Sequence, residues 1–238
     1  MKKFKLFLPI AILFIALPTP MPAYDFLTLS LQWPPTVDPR GLFRRHLPLN
    51  FTIHGVWPDR YGVPPLQCCP RIILWQQCCP SQNGGPLRQC CPRNHYVTFT
   101  DPILLPRLGM SWPNLRGLDN QGFWQHEWES HGRYSETDYN QRRFFTLGLD
   151  LKARYNLYGL LLNHSFIGRN VSLTSLDNLI SSYISHVSHK RVQFVCNRQD
   201  KLKEIHICFT RALVITDCPR PNSCLSSSPV HIPGYPWP

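Results

Sequence analysis

Bulky and small residues alternate from Phe26 to Trp33, the period of a half-buried strand, and Pro34-Pro35 ends the run. A second strand pattern covers Phe51 to Trp57. Phe51 and Ile53 fall on one face and Thr52 and His54 on the other, with Pro58 as the stop, so His54 is expected to face away from Ile53. Gly122 to Gly132 encloses a helical segment. From Tyr139 to Leu162 the apolar positions Phe144, Leu147, Leu151, Tyr155 and Tyr158 recur at spacings of three and four, which predicts one amphipathic helix. Leu173 to Val187 reads as another. Glu204 to Phe209 and Ala212 to Asp217 alternate like two strands of an antiparallel hairpin. Strands at both ends with helices between them predict an α+β fold.

The start of the chain follows a different rule. Lys2, Lys3 and Lys5 precede an apolar run from Leu6 to Leu17, broken by Pro9, and small and proline-rich residues follow as far as Ala23. This is the pattern of a secretory signal peptide over residues 1–23. The apolar run is well short of the roughly 20 residues that a membrane span needs. Cleavage after Ala23 removes three lysines and no acid, which lowers the formal charge from +11 to +8. The mature chain stays basic and suited to polyanions such as nucleic acid, pectin or an anionic membrane surface.

Residues 24–238 suit one domain whose apolar content is enough for a proper core. Ten cysteines behind a signal peptide predict disulfides rather than a metal site. Six of them crowd into three Gln-Cys-Cys-Pro copies beginning at Gln67, Gln77 and Gln89. The segment 64–93 therefore reads as a Cys-Pro-rich insertion, a loop stapled by disulfides. Acceptor sequons at Asn50, Asn163 and Asn170 fit a secreted glycoprotein.

Two histidine-bearing stretches carry the candidate chemistry: Phe51-Thr-Ile-His-Gly-Val-Trp-Pro58 and His126-Glu-Trp-Glu-Ser-His-Gly132. Imidazole titrates near neutrality, so one ring can act as base while another acts as acid at the same pH, and RNA can be cut this way without a metal or cofactor. Glu127 and His131, four apart on a helix, are expected to face one site. His126 is expected at its edge, and Trp57 and Trp128 offer flat faces for bases or for packing. His126, Glu127 and His131 could also be read as metal ligands. The helical zinc pattern, however, places its histidines at i and i+4, whereas these are five apart and expected to diverge, so no metal centre is expected.

The two stretches resemble the two active-site motifs of the ribonuclease T(2) family. The basic charge, the signal peptide and the opening strand resemble its plant S-RNase branch. The resemblance covers nearly the whole mature chain, including Phe123-Trp124, the long helix after the second motif, and the series Cys196, Cys208, Cys218 and Cys224. It implies a central antiparallel sheet with flanking helices, acting on single-stranded RNA. It implies His131 as general base, His54 as general acid, Glu127 as stabiliser of the phosphorane or an imidazolium, and His126 as a phosphate contact. It also implies the disulfides Cys196 to Cys224 and Cys208 to Cys218. An extracellular monomer is expected, with an F-box protein as partner if the chain is a true S-RNase.

Three departures bear on these expectations. Ser130 occupies the position of a family lysine, and losing such a cation is expected to cost about 10²–10³ in rate, with Arg133 as a partial substitute. Tyr134 replaces a family cysteine, and residues 34–50 lack the usual early cysteine pair. The same fold could therefore serve as a weakly active or inactive recognition protein.

Overall fold

The computed structural model describes residues 24–41, 49–62, 96–185 and 187–235. The expected signal peptide, residues 1–23, and the Gln-Cys-Cys-Pro segment lie outside these residues. Strands β1 (Phe26–Gln32), β2 (Thr52–Asp59), β4 (Gln193–Cys196), β5 (Leu202–Thr210) and β6 (Ile215–Thr216) form one sheet in the order β2-β1-β5-β4, with β6 also on β5. Every neighbouring pair is antiparallel. Short strands β3 (Arg169–Val171) and β7 (Val230–Ile232) pair separately. Among the described residues the helices are α1 (Pro34–Val37), α2 (Leu104–Ser111), α3 (Asn120–Ser130), α4 (Gln141–Arg154), α5 (Leu157–Asn163) and α6 (Leu173–Ile184). The architecture is α+β with an antiparallel sheet.

β1 is buried along its whole length rather than half-buried. Leu27, Leu29 and Leu31 enter the main core with Phe144, Phe145 and Leu151 of α4. The opposite face is also covered, because Phe26 packs on Cys208 and Cys218 and Ser30 bonds Glu204. Each Leu so enclosed contributes about 1.5–3 kcal/mol through lost apolar exposure. Pro58 does not stop β2, since it pairs with Leu27. Among the described residues β2 is the last strand of its sheet, and an edge strand tolerates a residue that has no N–H to donate.

The single helix expected over 139–162 breaks at Tyr155 and Asn156. Tyr155 is extended, and the Asn156 side chain accepts from the Gly159 N–H to cap a new helix. Periodicity continues through such a joint because both helices bury the same side. The helix predicted to Val187 ends at Ile184, and the last hairpin shrinks to Ile215–Thr216 because Leu213, at φ 59°, turns the chain. Disulfides join Cys208 to Cys218 and Cys196 to Cys224, tying β5 and the end of β4 to the following segments. Among the described residues no helix is long and apolar enough to cross a membrane.

Candidate active site

The site begins with an irregularity in β2. Ser30 of β1 pairs with Gly55 and Leu31 pairs with Ile53, so His54 is the unpaired residue of a bulge. A bulge adds one residue to one strand and re-aims the side chains around it. Strict alternation would put Val56 on the His54 face. Beyond the bulge Val56 instead enters the core beside Ile53, and Trp57 comes round to the His54 side, the two rings meeting edge to face at 5.2 Å. The Trp112 indole N–H donates to the His54 carbonyl oxygen at 2.8 Å and fixes the bulge from below.

The second motif lies on α3, capped at its start by the Asp119 carboxylate accepting from Gly122 N–H. Trp124 and Trp128, one turn apart, anchor the helix in the core. Trp128 packs on Phe144 and is 2% exposed, so its expected role resolves to packing rather than base contact. The helix stops at Ser130. His131 leaves with φ −131° and ψ −58°, although its N–H still reaches the Glu127 carbonyl. The following Gly132 fits because a Cβ there would lie 2.6 Å from the Trp128 ring and 2.9 Å from that of Phe144.

This early exit overturns one expectation. His126 and His131 do not diverge: their rings approach to 6.4 Å, and donor atoms of His126, Glu127 and His131 all lie within 4.8 Å of one another. Five residues on an uninterrupted helix would separate them, but His131 is no longer helical. Ser130, which the resemblance implies stands where the family has a lysine, sets its hydroxyl 3.3 Å from His126 Nδ1. Arg133 follows on the turn Gly132–Ser135 with Nε and one terminal nitrogen buried.

Trp57 joins the two motifs. Its Nε1–H donates to Glu127 Oε2 at 3.0 Å, and its indole lies 5.5 Å from the His131 ring. A Cβ at Gly55 would collide with both Trp57 Nε1 and Glu127 Oε2, so only glycine allows this approach. His54 also stacks near Phe123, at 6.2 Å and 19°.

Behind His54 stands Glu204 of β5, which neither motif contains. Its Oε1 is 3.3 Å from His54 Nδ1, an ion-pair separation outside good hydrogen-bond alignment. Its Oε2 accepts from Ser30 Oγ at 3.0 Å and faces His206 Nε2 at 2.9 Å. A sequence signal existed: Glu204 and His206 alternate with Ile205 and Ile207, which places two ionisable groups on one face of a strand.

These contacts set the protonation states. Burial lowers the His54 imidazole, but contact with Glu204 and the charges of Glu204 and Glu127 outweigh it, so it titrates above its ordinary 6.5. Burial pushes the Glu127 carboxyl up to about 7, against the opposing influence of His54 and the Trp57 bond. Burial also opposes charge on Glu204, yet His206 and His54 overcome it and hold this group well below the usual carboxylate range.

The arrangement can be set beside known proteins. The sequence profile of the Ribonuclease T2 family matches residues 24–218. Ribonuclease S-2 of Nicotiana alata is 31% identical over 208 residues, covering 85% of each chain. The crystal structure of the self-incompatibility-associated SF11-RNase of Nicotiana alata superposes with a TM-score of 0.69 at 26% identity, covering 87% of this chain and 97% of that one. A mutant of RNase MC1, solved in complex with 5'-UMP, superposes with a TM-score of 0.63 at 26% identity, covering 85% of this chain and 96% of that one. By profile, sequence and fold alike, the chain belongs to the ribonuclease T2 family, on its plant S-RNase-like branch.

Proposed function

We propose that this protein is a secreted endoribonuclease that cleaves single-stranded RNA by transphosphorylation, with His131 as general base and His54 as general acid. The carrying observation is the Trp57 indole, with the His54 ring on it at 5.2 Å, the His131 ring at 5.5 Å and Glu127 on its N–H. His131 takes the proton of the 2′-hydroxyl, and the 2′-oxygen forms a bond to phosphorus. The bond from phosphorus to the 5′-oxygen breaks, and the His54 imidazolium gives its proton to that oxygen. The products are a 2′,3′-cyclic phosphate and a free 5′-hydroxyl. Water then opens the cyclic phosphate to a 3′-phosphate with the two roles exchanged.

The raised titration of His54 suits an acid that must be protonated before the bond breaks. Glu127, raised to about 7, can donate to a phosphoryl oxygen when neutral and stabilise an imidazolium when charged. RNase MC1 holding a ribonucleotide supports the substrate class. The test follows cyclic-phosphate formation from a dinucleotide beside His54→Ala and His131→Ala. Both variants are expected to lose at least about 10²-fold; unchanged turnover in both would sink the reading.

A second reading, a weak or inactive recognition protein, rests on Ser130, whose hydroxyl neighbours His126 where a cation would face the phosphate. Ser130→Lys separates the two. A rise of about 10²-fold shows machinery that is present but underpowered, whereas no cleavage by either form favours binding alone.

A further inference from the structure

We propose that Glu204 is a positioning residue that holds the His54 ring through Nδ1 and so leaves Nε2 as the nitrogen presented to RNA. This rests on the reading of His54 as general acid. The contact crosses the sheet, since His54 is on β2 and Glu204 on β5, with β1 between them. The bulge makes the reach possible by displacing His54 from the regular pairing.

Glu204 is itself braced by two direct contacts and by a third behind one of them. Ser30 Oγ, on the intervening strand, donates to Oε2. His206, two residues along on the same face of β5, meets the same oxygen through Nε2. Gln193 of β4 then meets His206 at Nδ1 with its Oε1, 2.9 Å away. The Gln193 amide nitrogen donates to the Pro221 carbonyl oxygen at 2.8 Å, which fixes the orientation of that amide. A chain of polar contacts thus runs from β4 through β5 to β2, and every strand of the main order contributes a member. A catalytic imidazole whose other nitrogen meets an ordered carboxylate keeps both its tautomer and its direction.

The carboxylate also favours the protonated ring. Among the described residues three ionisable side chains bear on His54: Glu204 and Lys203 from β5, and Glu127 from α3. Lys203 Nζ lies 2.9 Å from the same Glu204 Oε1 and opposes the effect. Glu204 contributes both the contact and the larger charge. Removing its charge should lower the pH at which His54 gives up its proton.

Glu204→Gln keeps the size and the acceptor that Ser30 and His206 use. In the folded variant, checked by circular dichroism, the NMR titration midpoint of His54 is expected to fall by about one unit or more. The alkaline limb of kcat/KM on a dinucleotide should fall by the same amount, because that limb reports the acid. Above the new limb kcat drops about tenfold per unit, while KM stays within about twofold. Ser30→Ala, which removes one brace, is expected to give a smaller shift in the same direction and serves if the first variant does not fold. A carboxylate that merely satisfies buried donors predicts lower thermal stability with the His54 midpoint unmoved, and that result overturns the proposal. A shifted midpoint with an unmoved alkaline limb keeps the hold of Glu204 on the ring and removes His54 from the role of acid.

Discussion

Glu204 and Glu127 are 3% and 2% exposed, both bear on His54, and their surroundings treat them in opposite ways. Glu204 lies on a central strand, where Ser30, His206 and Lys203 all reach its oxygens, and it stays ionised. Glu127 lies near the end of a helix with the Trp57 indole on Oε2, and burial lifts it to about 7. The number of donors decides the outcome, because burial is nearly the same for both. A carboxylate kept charged can hold an imidazolium, whereas one poised near neutrality can pass between donor and acceptor during a reaction.

The strongest way to break the contrast is at Gly55, where the helical half meets the strand. Gly55→Ala forces apart Trp57 Nε1 and Glu127 Oε2. Misplacement of about 1 Å costs on the order of 10² in rate. With Trp57 and Glu127 both displaced, a loss of about 10³-fold in kcat/KM is expected on a dinucleotide. Overpacking adds about 1–3 kcal/mol of destabilisation by urea titration. Wild-type kinetics in the variant would show that the indole bridge is dispensable.

That glycine also marks how far the sequence was legible. The motif around His54 is plain from its resemblance to the family's, and apolar alternation places it on a strand, although Pro58 does not end that strand. The bulge is not plain, since it depends on how Ser30 and Leu31 of another strand pair with β2. The same gap hid Glu204, whose meaning arises only when β5 is set two strands from β2. The second motif is helical as its pattern predicts, but the helix ends at Ser130, one residue before His131, and the close packing on Gly132 that accompanies this end is a tertiary fact that no local pattern carries. The break at Asn156 has a local signal, since asparagine is a favoured helix N-cap, but the periodicity that continues on both sides obscures it.

Glu127→Gln sharpens the contrast from the other side. The linkage has a definite sign. A carboxyl raised from 4.5 to about 7 in the folded state contributes stability that is present below 4.5 and lost as pH rises through 7. Glu204, depressed, contributes stability present above its ordinary 4.5 and lost as pH falls. Replacing Glu127 by the neutral isostere should therefore stabilise the protein at pH 8 more than at pH 4.5. The difference is about 3 kcal/mol, read by chemical denaturation at both values. Activity at neutral pH should fall about 10²-fold, making Glu127 a group whose charge costs stability and serves the reaction. Equal stability changes at the two pH values would show that Glu127 titrates normally.

A smaller effect is expected at the far end of α3. The Asp119 cap, which accepts from Gly122 N–H, is worth about 1 kcal/mol. Asp119→Ala should lower stability by that amount while kcat stays within about twofold. Trp124 and Trp128 hold the middle of the helix in the core and so insulate Glu127 from fraying at its start. A kcat loss as large as that of Glu127→Gln would mean that the cap, rather than the tryptophans, sets the position of the carboxylate.

The smallest expected effect is none at all, and it tests the corrected geometry of His126, Glu127 and His131. Their donor atoms lie within 4.8 Å of one another, an approach that the exit of His131 from the helix makes possible. The proposed reaction nevertheless needs His131 with a free lone pair to accept the 2′-proton, and a cation on that nitrogen would occupy the lone pair. Exhaustive dialysis against a chelator should therefore leave kcat/KM on a dinucleotide unchanged. Added zinc should compete with the proton for that lone pair and slow cleavage, by an amount that grows as pH rises and protons become scarcer. Loss of activity on chelation, restored by zinc, would assign the three side chains to a cation and require a different base.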